Sequence, residues 1–450
     1  MAKRQASRSE PQGSAGHVPQ AVRLPDDAAA AAAVDVVMQL RHAGHTAYLV
    51  GGCVRDLVLG LPPKDYDVAT SARPDQVRRV FGKVIEVGAQ FGVLRVPRFV
   101  GEERFELEVA TFRVETGYVD GRRPGEVRFS DAREDVLRRD FTLNGLLLEP
   151  SAHPGESAQV IDWVGGIDDL REGLLRAIGE PLERFEEDHL RVMRLVRFAA
   201  RFDLDVDTET MAAAWKVAGK LRRISRERIR DELVQMLLDP NAPAAIALLG
   251  RLRIERLLWK GLVGSNKPAA IARRFKSAQQ LIADTPTSTG DYPMLGSIDT
   301  ALALVLFFGP PTELSPRDYA RAIGDDLRLP KPVARDIGAI IDLSQRILEG
   351  PQGADQIRVL RQELGDHALV AAAAFQPKSP HLAGLRETRA SASRQQWAPI
   401  PIVTGATLKA AGYAPSPRFR IAIAAAETAQ LDGLGDEEVR AAALAALQST

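Results

Sequence analysis

Cysteine is almost absent from this chain of 450 residues, which contains Cys53 alone. A single cysteine excludes a disulfide framework and is typical of a reducing compartment, so we expect a cytoplasmic protein. Long apolar runs are absent too, since none approaches the roughly 18 to 20 residues that cross a bilayer. The sequence therefore predicts a protein that does not span a membrane.

Net charge is also lacking, because 59 Lys and Arg residues balance 59 Asp and Glu residues. A neutral protein can still bind phosphates through a local basic patch, so this balance neither supports nor excludes a nucleic-acid partner. The seven histidines form no His-His-Asp cluster. Their scatter argues against an appended metal phosphohydrolase domain.

Two kinds of sequence follow one another along the chain. Residues 1–24 are polar, with no apolar run, and predict a disordered leader. Residues 25–150 alternate short apolar runs with helical segments and predict a mixed α/β head with four or five strands. After residue 165 almost every segment has helical periodicity. We therefore predict an α+β protein in which a mixed sheet with helices precedes a long helical arm.

The segment PPKDYDVATS places two acids on one face of a predicted strand. Alternate residues of a strand share a face, which puts the Cα atoms of Asp65 and Asp67 about 7 Å apart. Like charges at this spacing repel unless a cation joins them, and Mg²⁺ is typically held by one or two carboxylates plus substrate phosphates. Paired metals stabilise both oxygens of an in-line displacement. Alone, the pattern more often marks a solvated turn.

A glycine turn, LVGGCVRD, lies shortly before these acids. Gly51 and Gly52 allow backbone N–H groups to approach a phosphate, and the following helix adds its positive N-terminal end. Arg55 lies in the first turn of that helix, within reach of a phosphate. A tight turn is the simpler interpretation of two glycines, but their combination with Arg55 and the paired acids indicates a nucleotide site.

Two further segments add polar residues to this predicted site. FELEVATF alternates acids with apolar residues, and Glu108 is a candidate third carboxylate from a neighbouring strand. A solvent-facing strand side is the alternative, and it is favoured for Glu106. VLRRDFTLNGLLLEP follows, in which Arg139 and Asp140 are candidates to contact a triphosphate and a ribose.

Taken in order, these motifs resemble those of the tRNA nucleotidyltransferase/poly(A) polymerase family, in particular its bacterial and eukaryotic (class II) branch. The matching segments are LVGGCVRD, KDYDVAT, EVATFR, RRDFTLNGL, DWVGGIDDLREGLLRAIGEP and RFEEDHLRVMRLVRFAARF. They cover about residues 46–240. The resemblance implies a nucleotidyltransferase head at 25–150, a helical neck and body that bind RNA and nucleotide at 151–260, and a helical tail at 261–450.

The resemblance also implies an activity and the residues that carry it. Family members add nucleotides from CTP or ATP to an RNA 3′ end and release pyrophosphate. The cofactor predicted from the paired acids is Mg²⁺. Asp65 and Asp67 match the two catalytic acids that bind the metal. The nucleotide contacts implied in the same way are Gly52, Arg55, Arg139, Asp188, Arg191, Arg194 and Arg197.

The segment EEDHLR matches the family motif Glu-Asp-x-x-Arg, although His189 stands where the family usually has proline. Asp188 and Arg191 are neighbours on a helix, whereas Arg197 is turned about 180° from Asp188. We infer that Asp188 and Arg191 read the base, and that Arg194 or Arg197 meets phosphates or holds the helix. A solvated arginine face is the alternative.

The sequence thus predicts an enzyme that adds CCA to the tRNA 3′ end from CTP and ATP. A bacterial poly(A) polymerase, or an enzyme adding only C or only A, is the alternative within the family. EVGAQFGVLRV resembles the Gly-x-x-Phe-Gly form of tRNA enzymes rather than the arginine-rich form of poly(A) polymerases. A non-catalytic RNA-binding protein is an alternative from another class. Asp65 and Asp67 argue against it, since a binder does not need paired metal ligands.

Overall fold

The computed structural model describes residues 20–88, 92–116, 126–151, 155–263, 266–284, 288–289, 292–293, 297–391 and 400–448. The chain divides into two compact units, Met1–Ile224 and Ser225–Thr450. None of the helices in the described ranges combines the length and apolar character that crossing a membrane requires.

An eight-stranded mixed sheet organises the first unit. The strands before α5 are β1 (Gln20–Arg23), β2 (Ala47–Val50), β3 (Asp67–Thr70), β4 (Ile85–Gly88), β5 (Val93–Val100), β6 (Glu103–Thr111), β7 (Arg113–Thr116), β8 (Glu126–Phe129), β9 (Leu147–Glu149) and β10 (Ser157–Ile161). The sheet order is β1-β10-β9-β2-β3-β6-β5-β4, while β7 and β8 pair separately. Within this sheet β3 and β6 pair in parallel, and the other neighbours are antiparallel.

Helices pack on this sheet and then continue the unit as a helical segment. They are α1 (Ala28–His42), α2 (Gly52–Val58), α3 (Pro74–Phe81), α4 (Ala132–Leu137), α5 (Gly166–Arg171), α6 (Pro181–Glu187), α7 (Arg191–Arg201) and α8 (Thr208–Val217), with 3₁₀ turns at Thr142–Asn144 and Ala218–Arg223. Two short strands, β11 (Leu174–Leu175) and β12 (Asp205–Val206), pair in parallel between them.

The centre of the sheet supplies the rigid base of the site. Leu49, Val68 and Val109 lie on adjacent central strands and are fully buried. Cys53, just after β2, is buried as well, and this burial raises the pKa of its thiol to about 12. The thiol is therefore a packing group at neutral pH. The carboxyl-terminal end of β2 and the start of β3 are held in antiparallel register, Val50 opposite Asp67.

The predicted extent of the leader and head needs correction. Residues 20–23, placed in the disordered leader, form β1, because Val22 and the following Leu24 are buried against the unit. The sheet has eight strands rather than four or five. The unrecognised strands β1, β9 and β10 have five residues or fewer, and β10 lies beyond residue 150. Residues 1–19 of the predicted leader and Phe91 of the Gly-x-x-Phe-Gly segment lie outside the described residues.

The second unit is built from helices. They are α9 (Arg226–Leu237), α10 (Ala242–Arg251), α11 (Ile254–Val263), α12 (Pro268–Asp284), α13 (Thr300–Phe308), α14 (Pro316–Leu327), α15 (Lys331–Glu349), α16 (Ala354–Leu360), α17 (Gly365–Phe375), α18 (His381–Ser391), α19 (Gly405–Ala410), α20 (Arg418–Leu431) and α21 (Asp436–Gln448). Every residue of α13 from Ala301 to Phe308 is buried. Trp259 of α11 packs edge-on against Phe307 and Phe308.

The predicted fold class is confirmed, since a mixed sheet with helices is followed by a helical arm. The described part of the second unit contains two strands of two residues each, β13 (Ser288–Thr289) and β14 (Tyr292–Pro293). Separate apolar clusters hold the later helices: Leu343, Ile347 and Leu385 belong to one cluster, and Leu408 and Val439 to another.

Candidate active site

Three carboxylates come together where β3 begins. Asp67 opens β3 and lies opposite Glu108 of β6 in the parallel register, and Asp65 precedes it by two residues. Asp67 is half-buried, whereas Asp65 and Glu108 are exposed. Burial, followed by the negative charges of Glu108 and Asp65, raises the pKa of Asp67 from 3.8 to about 6. The sheet register thus gathers the three predicted catalytic acids at a point that solvent reaches.

This arrangement fits a divalent cation. The raised pKa of Asp67 means that its ionised form lacks enough nearby positive charge, and a cation supplies that charge. Asp65 and Asp67 would hold Mg²⁺, which takes carboxylate oxygens together with substrate phosphates. Within the described residues no group of three or more His, Cys, Asp and Glu side chains is arranged to hold a metal ion. The fit therefore depends on two carboxylates and substrate oxygens.

The turn after β2 requires glycine and brings an arginine to the carboxylates. Gly51 has a φ of 72°, and an added Cβ would lie 3.2 Å from Nη1 of Arg139. Gly52 then begins α2. The positive charge of Arg139 also lowers the pKa of Asp67, against the larger effects of burial and the neighbouring acids. The glycine turn, Arg139 and the carboxylates therefore surround one point on the sheet.

Arg55 is buried rather than open to solvent, with 5% of its surface exposed. Its guanidinium donates hydrogen bonds to Asp56 (Nε–Oδ1 2.9 Å) and Asn144 (Nη1–Oδ1 2.9 Å). It also lies 4.3 Å from the ring centre of Phe202, just after α7. These contacts tie α2 to the 3₁₀ turn and to the end of α7. The phosphate contact predicted for Arg55 stays a prediction.

Asp135 is a site residue that the sequence analysis missed. Its buried carboxylate accepts hydrogen bonds from Arg138 (Nη2–Oδ1 2.6 Å) and Arg139 (Nη2–Oδ2 3.1 Å). Burial alone would raise its pKa, but these two guanidinium groups lower it. Asp135 therefore fixes Arg139 beside the glycine turn. The signal that could have revealed it is its spacing, since residues three and four apart on a helix are neighbours.

Asp140 is also buried, with 7% of its surface exposed. Oδ1 accepts hydrogen bonds from the backbone N–H of Phe141 (2.9 Å) and from Asn144 (3.1 Å), and Oδ2 accepts one from Nε of Arg194 (2.6 Å). Burial acts to raise its pKa, but Arg194 and Asn144 lower it to about 2. The Asp140–Arg194 ion pair joins the segment after α4 to α7. The ribose contact predicted for Asp140 stays a prediction.

Asp188 lies in the turn between α6 and α7. Its Oδ1 accepts a hydrogen bond from the backbone N–H of Leu190 (3.1 Å), which satisfies a donor at the start of α7. His189, which replaces the usual family proline, is buried, and its Nε2 lies 3.5 Å from Glu186. Burial lowers the pKa of His189. The side chain of Asp188 thus closes this turn without a proline.

The interpretation of the arginines of α7 as a solvated face is wrong for Arg191 and Arg197, each of which is only 9% exposed. Arg191 donates hydrogen bonds to the carbonyl oxygens of Arg184 (2.8 Å) and Arg138 (3.0 Å). Arg197 lies 4.2 Å from the ring centre of Phe198. Arg191 thus contacts the segment after α4 rather than water. Apolar residues of α7, among them Val192, Met193 and Val196, are buried as well.

Two known families match separate parts of the chain. Residues 47–176 match the poly A polymerase head domain, and residues 203–262 match a family described as the probable RNA and SrmB-binding site of polymerase A. These two parts of the chain are therefore similar to a polymerase head domain and to an RNA-binding segment of polymerase A, in the order that the motif resemblance implied.

Curated relatives and a solved structure extend this likeness. The chain is 41% identical over 212 residues to a CCA-adding enzyme of Limosilactobacillus reuteri. These residues make up 47% of this chain and 50% of that protein. The chain is 44% identical over 209 residues to one of Streptococcus sanguinis, 46% and 50% of the two chains. The alignment thus spans about half the length of these relatives. The fold is also similar to the crystal structure of a Bacillus stearothermophilus CCA-adding enzyme in complex with CTP, with a TM-score of 0.67. The superposition covers 93% of this chain and 98% of that enzyme, and the two sequences are 27% identical.

Proposed function

We propose that this protein is a template-independent RNA nucleotidyltransferase that adds CMP, CMP and AMP to the tRNA 3′ end from CTP and ATP. The observation that carries the proposal is the cluster of Asp65, Asp67 and Glu108 beside the Gly51 turn and Arg139. The relatives that share this half of the chain are CCA-adding enzymes, and a structural neighbour of similar overall fold was solved with CTP. We also propose a cytoplasmic location, which the single cysteine supports.

In the proposed reaction the terminal RNA hydroxyl attacks the α-phosphorus of the nucleotide, and the bond to pyrophosphate breaks. Asp65 and Asp67 would hold Mg²⁺, which when bound supplies charge stabilisation to the attacking and leaving oxygens. Glu108 is the third carboxylate at this point. Gly52 and Arg139 are the proposed triphosphate contacts, because Arg139 is held beside the glycine turn by Asp135.

The neck would select the nucleotide. Cytosine and adenine each present an amino donor beside a ring-nitrogen acceptor, which suits a carboxylate and a guanidinium held side by side. Asp188, in the turn before α7, and Arg191, the first residue of α7, are the proposed pair. Guanine and uracil place a carbonyl opposite Asp188, which leaves buried polar groups unpaired at a cost of about 1–3 kcal/mol each. Arg194 and Arg197 would then meet phosphates or hold the helix.

Incubation with tRNA that lacks its last three nucleotides, together with labelled CTP, ATP or both, tests the proposal. Addition of three nucleotides in the presence of both substrates is the expected result. Long adenylate tails would instead indicate a poly(A) polymerase, and a single type of addition would indicate a C-only or A-only enzyme. RNA binding without any incorporation would overturn the proposal in favour of a non-catalytic binder.

Asp188→Ala should relax the choice of nucleotide as well as slow addition. Loss of the acceptor removes the penalty against guanine and uracil, so preference for CTP and ATP should fall by roughly ten-fold or more. Asp188→Asn should go further and admit GTP and UTP, because its amide can donate to their carbonyl oxygens. Incorporation of all four nucleotides by each variant measures this.

Glu183→Ala is the matched control, since it removes an exposed acid from the preceding helix α6. It should retain the preference of the wild type. Unchanged selectivity in both Asp188 variants would assign base recognition to other residues.

A further inference from the structure

Arg95 belongs to a row of side chains that crosses the sheet at the level of the carboxylates. Asp67 of β3 lies opposite Glu108 of β6, and Glu108 lies opposite Arg95 of β5. Residues directly opposite one another on neighbouring strands carry their side chains on the same face of the sheet. Arg95 is exposed on this face. It therefore stands two strands, or about 10 Å, from Asp67.

The glycine turn lies on the other flank of the carboxylates. The order of these strands is β2-β3-β6-β5, Gly51 directly follows β2, and Arg139 lies beside Gly51. Arg139 and Arg95 are thus on opposite flanks of the carboxylates. The attacking and leaving oxygens of a phosphoryl transfer lie roughly in line. Because the triphosphate is assigned to the flank of Gly51, the attacking RNA hydroxyl approaches from the flank of Arg95.

The positive charge of Arg95 is only partly balanced by its neighbours. Its Nη1 lies 4.0 Å from Oε2 of Glu106, and 46% and 36% of these two side chains are exposed. Arg104 holds the same carboxylate more closely, with 2.7 Å between Nη2 and Oε1. Two guanidinium groups thus share one carboxylate. An exposed ion pair contributes little to stability, so a phosphate can replace the contact of Arg95 with Glu106 at a small cost.

We propose that Arg95 binds the phosphate of the last RNA nucleotide and so positions the terminal hydroxyl for attack on the α-phosphorus. A guanidinium group binds phosphate through two parallel hydrogen bonds. Such a contact fixes position without reading a base, so Arg95 serves all three additions alike. This inference rests on the proposed function, which supplies the RNA and the direction from which its end approaches.

A substrate tRNA that lacks CCA and carries a neutral methylphosphonate as its last internucleotide linkage tests this contact. The wild type should add CMP to it with a kcat/KM for RNA roughly ten-fold below that for unmodified RNA, because a charge-assisted hydrogen bond is lost. Arg95→Gln should show the same roughly ten-fold loss with unmodified RNA and little further loss with the methylphosphonate. Its KM for CTP at saturating RNA and its preference among the four nucleotides should equal those of the wild type.

Arg79→Gln is the matched control, because Arg79 is an exposed arginine of α3 that pairs with Asp75 at 2.9 Å. It should keep the wild-type kcat/KM and the full loss with the methylphosphonate. Active wild type without that loss, Arg95→Gln with the loss undiminished, or Arg95→Gln with a raised KM for CTP alone would each overturn the role of Arg95. Wild type that adds no nucleotide to unmodified RNA would overturn the proposed function instead.

Discussion

In the presence of a chelator at neutral pH, Asp67→Asn should unfold at a higher temperature than the wild type while adding no nucleotide. Burial and the charges of Glu108 and Asp65 raise the pKa of Asp67 from 3.8 to about 6. A rise of that size means that the ionised carboxylate opposes folding by about 3 kcal/mol. A neutral asparagine of the same shape escapes this cost. Thermal unfolding of both proteins at several pH values measures the difference.

The pH dependence follows from the sign of that pKa change. A carboxyl whose pKa is raised by folding binds its proton more tightly in the folded state, so its destabilising effect appears as the pH rises. The advantage of Asp67→Asn should be absent below about pH 4, grow between about pH 4 and 6, and stay constant above. Adding Mg²⁺ should stabilise the wild type, because the cation binds the folded carboxylates, and should have little effect on Asp67→Asn.

The same carboxylates should be indispensable for activity. Asp65→Ala and Asp67→Ala should each lower nucleotide addition by about 10³-fold, since electrostatic stabilisation of the transferring phosphoryl group is lost. Affinity for RNA should remain near that of the wild type. Glu106→Gln is the matched control, because Glu106 is an exposed acid on the neighbouring strand β6 and pairs with Arg104 at 2.7 Å. Near-normal turnover of either alanine variant with Mg²⁺ would remove these acids from the metal site.

The local parts of the site could be predicted from the sequence, because they depend on the conformations of residues close together in the chain. The alternation of a predicted strand indicated that Asp65 and Asp67 lie together, although β3 begins only at Asp67. Gly51 was recognisable because a turn with a φ of 72° favours glycine. Glu108 was only a candidate on the basis of sequence. Its position opposite Asp67 depends on the parallel pairing of β3 with β6, two strands separated by α3, β4 and β5.

The contacts that the sequence did not reveal join segments far apart in the chain. Arg55 looked like an exposed phosphate ligand, yet Asn144 and Phe202 enclose it. The arginines of α7 recur at helical spacing and form a polar stripe. Periodicity alone cannot tell whether such a stripe packs against protein or is exposed to solvent. Whether that stripe faces water or packs against the head depends on tertiary structure. The structure shows that Arg194 of this stripe donates a hydrogen bond to the buried carboxylate of Asp140.

Arg194→Ala should be among the most destabilising single substitutions in the first unit. It leaves the buried carboxylate of Asp140 without the guanidinium that donates to it at 2.6 Å. Removing one partner of a buried ion pair typically costs about 3–5 kcal/mol, because an uncompensated charge remains. Asp140→Asn should cost less, since the amide still accepts hydrogen bonds through Oδ1 from Phe141 and Asn144. Urea unfolding of each variant measures these losses.

The double variant Asp140→Asn/Arg194→Ala provides the decisive comparison, because it removes both charges. It should be more stable than Arg194→Ala alone, which is the non-additivity expected of two groups in direct contact.

In the wild type Asp140 has a pKa of about 2, held down by Arg194 and Asn144 against the effect of burial. Its ionised form therefore stabilises the fold above about pH 4 and loses that effect towards pH 2. Without Arg194 the effect of burial is the larger one, so folding should raise the pKa of Asp140 instead of lowering it. The loss of stability in Arg194→Ala should therefore become smaller as the pH falls from neutral. Asp140 and Arg194 would be shown to act separately by two results together. The double variant would lose as much stability as the two single variants combined, and the stability loss of Arg194→Ala would not depend on pH.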